Sequence, residues 1–280
     1  MTAGMKAAFE LPTEQLSIKA ELDALVLKYE KPAFIESDPV SVAHGFDDPA
    51  DQEIIGLYAA LLAWGQRKTI LAKLEDLCER MDYRPYRFVR DFADRRAAVE
   101  LEGFVHRTFQ PIDAFWMTRL LSLALRRYGS LNAMFSSFST PEADVGPVID
   151  GFSKSLLQLH PDTPNRLRKH LARPSAGSSC KRLAMYLRWM VRTGPVDLGI
   201  WTGIAKSQLV LPLDVHSRRA AECVGALTRK SNDWLAVQEM TNFARRLCPE
   251  DPARYDFAFY GPGSSGDVVG TASRISPTAR

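Results

Sequence analysis

Asp214 and His216 stand two residues apart in LPLDVHSRR, directly after Pro212-Leu213, where Val215, Ala220, Val224 and Leu227 begin to recur at helical spacing. A carboxylate in that place is a helix N-cap. It would accept a hydrogen bond from the backbone N–H of His216 or Ser217 and stabilise the helix by about 1 kcal/mol. Fixed at a helix start beside an imidazole, it is also suited to opposing a developing cation or orienting a water. Asp214 and His216 are therefore the candidate catalytic residues.

A second kind of chemistry lies upstream, in CKRLAMYLRWMVR at residues 180–192. At about 100° per residue, Leu183, Tyr186, Leu187, Met190 and Val191 share one side of a helix. Lys181, Arg188 and Arg192 fall within roughly 40° of each other on the opposite side, with Met185 and Trp189 flanking them. Such a face suits phosphates beside a stacking surface. It equally describes a solvated basic face with Trp189 half buried at its edge. The nine basic residues and single acid of residues 154–192 carry +8, whereas the chain is +3, leaving −5 elsewhere. That asymmetry reads as a surface facing a polyanion.

The elements that must position these groups follow from periodicity and punctuation. Residues 16–29 form a first helix, residues 51–63 a strongly apolar one after Asp48-Pro49, and a further helix runs on from Trp64-Gly65 to Met81. Residues 112–128 are helical, and residues 136–147, rich in Ser, Thr, Pro and Gly, read as a loop. Gly194-Pro195 ends the basic helix, and residues 196–213 form a compact turn region before the Asp214 helix. A helix from Asn232-Asp233-Trp234 to Leu247 and a short aromatic one at residues 255–260 follow.

The composition, 46% hydrophobic and 25% charged over 280 residues, is that of an ordinary globular protein with a sizeable core. The first fifteen residues lack the apolar stretch of a signal peptide, and no run is long enough to span a bilayer, so a cytoplasmic protein is expected. Cys78, Cys180, Cys223 and Cys248 show neither disulfide-framework nor zinc-finger spacing.

The segments CKRLAMYLRWMVR, VDLGIW and LPLDVH, with DFAFYGPG downstream, resemble the signature blocks of a bacterial conserved-hypothetical family known as a domain of unknown function. That family is similar in turn to the helix-hairpin-helix base-excision DNA glycosylases, whose catalytic aspartate opens a helix as in LDVH. Asp38-Pro39, AWGQRKTI at residues 63–70, GFVHRTF at residues 103–109 and Asn232-Asp233-Trp234 also match, so the resemblance covers residues 29–260. It implies a protein that binds duplex DNA and removes or recognises a damaged base flipped into a cleft. Asp214 would then stabilise an oxocarbenium-like sugar or activate water. Lys181, Arg182, Arg188 and Arg192 would hold phosphates, Gln66 and Arg67 would add phosphate or base contacts, and Trp189 or Trp201 would stack on a base.

The chain departs from the glycosylase pattern in three places. Gly199 and Gly203 stand four apart where the hairpin has Gly-x-Gly. The lysine of strand-cutting members has no counterpart between Val191 and Asp214 except Lys206, so a monofunctional enzyme is expected. The cysteines are too scattered for an iron–sulfur cluster, and no cofactor is expected.

No segment alternates as a strand does. The expected fold is all-α, with about ten helices in two lobes around a central cleft, one helical domain over residues 1–260 and a disordered tail over residues 261–280. Two rival readings stand beside the glycosylase. One is a non-catalytic nucleic-acid-binding module on the same scaffold. The other is a metal-dependent hydrolase using His106, His170, Asp214 and His216, no two of which are at i, i+4 spacing.

Overall fold

The structure is a computed structural model that describes residues 13–264. Among these residues it is all-helical: thirteen α-helices and five short 3-10 turns, with no strand and only the isolated bridges His106–Phe109 and Thr193–Leu198. In chain order the helices are α1 (Thr13–Tyr29), α2 (Val40–His44), α3 (Pro49–Leu62), α4 (Arg67–Arg80), α5 (Pro85–Arg90), α6 (Asp94–Glu100) and α7 (Pro111–Tyr128). They continue as α8 (Leu131–Ser136), α9 (Gly146–Gln158), α10 (Lys181–Val191), α11 (Val215–Cys223), α12 (Trp234–Leu247) and α13 (Asp256–Ser264).

The longer helices begin where punctuation and periodicity place them. Asp48 caps α3 by accepting from the Ala50 amide at 2.9 Å, and Pro49 supplies a first-turn residue with no N–H to leave orphaned. Asp233 caps α12 through the Ala236 amide at 3.0 Å. In α3 every residue from Ile54 to Leu62 is buried, because α2, α4, α5, α8 and α10 all pack on it. The second packing centre is α13, which lies against α1 and α11.

The short helices α5, α6 and α8, six or seven residues each, were not legible, since one or two turns are too brief to display a period. The expected loop at residues 136–147 is real but trimmed at both ends by α8 and α9. The disordered tail expected over residues 261–280 is not disordered at its start, since Gly261 to Ser264 continue α13, with Gly261 and Pro262 buried. Its remainder lies outside the described residues. No helix among them is long and apolar enough to cross a membrane.

Candidate functional site

Helix α10 is buried almost all round, and this overturns the solvated basic stripe. Its apolar side enters the core with Tyr186, whose hydroxyl donates to the Glu53 carbonyl at 2.9 Å. The other side meets acids. Arg188 donates to Asp197 at 3.2 Å and makes a short contact with Asp256. Arg192 donates to Asp197 at 2.5 Å, to Glu30 at 3.0 Å and to Asp251 at 2.9 Å. Both arginines are 3% exposed, so neither is placed to hold phosphates as expected. They satisfy acids that burial would otherwise leave unpaired.

The balance of this network sets its protonation. Burial disfavours the Arg188 charge, but Asp197, Asp256 and Asp38 outweigh it and raise the guanidinium pKa. Burial pushes the Asp256 carboxyl up to about 6 against the pull of Arg188, with Asp214 and Asp197 adding repulsion. Asp38 is likewise raised by burial, opposed by its hydrogen bond from the Val40 amide at 3.1 Å.

Above the network opens a cavity of about 440 Å³. Phe34, Trp64, Ile70, Met185 and Tyr260 supply apolar walls, while Asp38, Asp214, Asp256, Lys181, Arg182, Arg67, Arg188 and His216 bring charge and hydrogen-bonding capacity. Asp214 is the N-cap of α11: it accepts from the Ser217 amide at 2.8 Å, and the Ser217 hydroxyl accepts the Asp214 amide at 2.8 Å. Its other carboxylate oxygen accepts from Lys181 Nζ at 3.0 Å. Burial acts to raise this carboxyl, but Lys181 and the Ser217 amide overcome it and hold the pKa below the ordinary value. Tyr260 ties the far wall together, accepting from Arg67 at 2.9 Å and meeting the His216 ring edge-on at 6.0 Å.

Asp214, His216, Lys181, Arg182 and Arg67 thus come together, as does Arg188 through its buried end. Gln66 is exposed and does not line the cavity. Trp189 and Trp201 are not available for base stacking at the cavity, because Trp189 is fully buried and Trp201 packs in the core against Phe135 at 5.2 Å and Tyr186 at 5.3 Å. The indole at the cavity is Trp64, with Arg107 4.9 Å over its face. Gly65 turns the chain there with φ +114°, and a Cβ would stand 2.8 Å from the Arg107 guanidinium. Asp38, Asp256, Trp64 and Tyr260 were missed as site residues. Their only signal was membership of the matching blocks, since nothing local distinguishes a cavity wall from a core wall.

The four residues of the metal reading do not converge. His106 Nε2 lies 3.1 Å from the Trp64 carbonyl, and His170 Nε2 lies 3.3 Å from Asp113, poorly aligned for a hydrogen bond. Burial drives the His170 pKa down to about 4 despite Asp113. Among the described residues no group of three or more His, Cys, Asp or Glu is arranged to hold a metal ion.

The chain belongs to the family described as "Protein of unknown function (DUF2400)", which matches residues 38–265 and so spans every cavity residue except Phe34. No curated protein and no solved structure matches the chain.

Proposed function

We propose that the protein binds DNA and accepts a nucleobase, turned out of the duplex, into the cavity beside Asp214. The observation that carries this reading is the Lys181–Asp214 pair, 3.0 Å apart inside an aromatic-walled cavity. The cavity volume of about 440 Å³ lies within the roughly 300–1,000 Å³ typical of small-ligand sites. Trp64 and Tyr260 are suited to stacking on a base. Arg182 lines the same cavity, bonded to the Leu61 and Lys169 carbonyls at 2.7 and 3.1 Å, and forms no ion pair with a described carboxylate. A phosphate would complete it. Asp214, kept ionised, would oppose the positive charge that develops on the sugar as the C1′–N bond lengthens.

A second reading concerns cleavage of the strand. Lys206, the one lysine between Val191 and Asp214, is exposed and does not line the cavity, whereas Lys181 reaches Asp214 from the first turn of α10. A lysine in that place can pass a proton to Asp214 and attack C1′ with its amine as the base departs with the bonding electrons. The attached nitrogen gives one proton to the departing base, its lone pair then expels the ring oxygen, which takes up the proton held by Asp214, and a protonated imine remains. The test is a panel of duplexes bearing damaged bases, scored for abasic sites, with borohydride added to trap an imine. Base release without a trapped adduct supports the monofunctional reading, and an adduct lost in Lys181→Gln supports the second. Duplex binding with no release from any member of the panel favours the binding module.

A further inference from the structure

Six of the nine basic residues in residues 154–192 meet carboxylates. Arg188 and Arg192 are in the buried network, Lys181 is on Asp214, and Arg166 bonds Asp113 at 2.7 Å. Lys154 bonds Asp150 at 2.5 Å, and Lys169 lies 3.8 Å from Asp113. Among the described residues Arg168, Arg173 and Arg182 form no ion pair. The positive field that the sequence promises therefore survives at three arginines, one in the main cavity and two outside it.

Those two share a smaller cavity of about 140 Å³, together with Lys154, Gln158, Thr163 and Asn165. No acid lines it. Its volume is below the roughly 300 Å³ at which small-molecule sites begin, which suits a single phosphate better than a whole nucleotide. Gln158 and Asn165 offer neutral donors beside the guanidiniums.

The two cavities are joined by one short element. Arg168 and Lys169 lie on the 3-10 turn Asn165–Lys169, and the Lys169 carbonyl accepts from Arg182 of the main cavity at 3.1 Å. The turn is anchored rather than loose, since Arg166 grips the fully buried Asp113 with two bonds of 2.7 and 2.9 Å.

We propose that the Arg168–Arg173 cavity is a second phosphodiester site, which holds the backbone of the strand whose base enters the main cavity. It rests on the DNA reading above. Phosphate contacts of this kind fix register without reading sequence.

The experiment measures anisotropy of a labelled, undamaged duplex against the full chain at several salt concentrations, for wild type, Arg168→Ala/Arg173→Ala and Arg168→Lys/Arg173→Lys. The alanine pair should lower the log–log salt slope by about 0.9, the share of one phosphate, and the lysine pair should retain the wild-type slope. Base release by wild type is measured separately at saturating DNA. A wild-type slope retained by the alanine pair overturns the proposal even if bases are released. A lowered slope with no base release leaves it standing and removes the glycosylase instead. Failure of wild type to bind duplex removes both. Inorganic phosphate, titrated calorimetrically, is the second probe: phosphate binding lost in the alanine pair with an unchanged duplex slope would assign the cavity to a free anion and overturn the proposal.

Discussion

Replacing Asp214 with Asn leaves an oxygen that still accepts the Ser217 amide, so the cap survives and the stability lost is that of the ion pair with Lys181. The charge is what disappears. Single-turnover base release should then drop by roughly 10² or more, about 2.7 kcal/mol of barrier, with the melting temperature as control. Undiminished release would refute the assignment. Asp256 gives a prediction about pH. Its folded pKa of about 6 exceeds the ordinary 3.8, so the folded chain keeps a proton that the unfolded chain has lost. Its contribution to stability is complete below 3.8 and gone above about 6. Urea denaturation of wild type and Asp256→Asn between pH 4 and 7 should therefore show wild type losing stability relative to the variant as pH rises, and parallel curves would discard the shift. Asp214 was legible because an N-cap is a local pattern. Its pairing with Lys181, 33 residues away, was not, because local periodicity carries no information about which helix ends meet.

At the scale of the element, α10 shows why a correct helix can be given the wrong face. Its bounds were legible to within a residue at each end, and its apolar side was correct. The polar side was misread because partners for Arg188 and Arg192 come from Glu30, Asp197, Asp251 and Asp256, up to 162 residues away. Arg188→Ala should accordingly act on folding, costing about 3–5 kcal/mol in a denaturation experiment by leaving buried carboxylates unpaired. A variant as stable as wild type but weaker on DNA would restore the phosphate reading. The turn that closes α10 makes a second prediction. Gly199 has φ +62°, and a Cβ there would lie 2.8 Å from the Arg192 carbonyl and 2.9 Å from Thr193 Cα, both backbone atoms. Gly199→Ala should cost more than about 1 kcal/mol, read as a lowered urea midpoint.

Across the whole molecule, α1 lies before the family match begins at residue 38, yet it is bound into the same structure. It packs on α13, its Asp23 accepts from the Tyr255 hydroxyl at 3.0 Å, and Glu30 just beyond it bonds Arg192. A chain starting at Lys31 should keep its helical circular dichroism but melt at a lower temperature, and an unchanged midpoint would show α1 to be dispensable. The charge asymmetry was legible as a number and misplaced as a surface. Most of the +8 is spent on neighbours, and only the folded chain shows which cations remain.

The buried arginine network also has a consequence for synthesis. Arg188 and Arg192 emerge from the ribosome well before Asp251 and Asp256, and Tyr260 follows both. Until those residues arrive, a nascent chain holds two cations without their full complement of counter-charges and a cavity missing one wall. Translation stopping anywhere short of residue 256 would yield a product with an incomplete interior, a natural substrate for quality-control proteases, so the pocket can come into being only once residues 256–260 have been made.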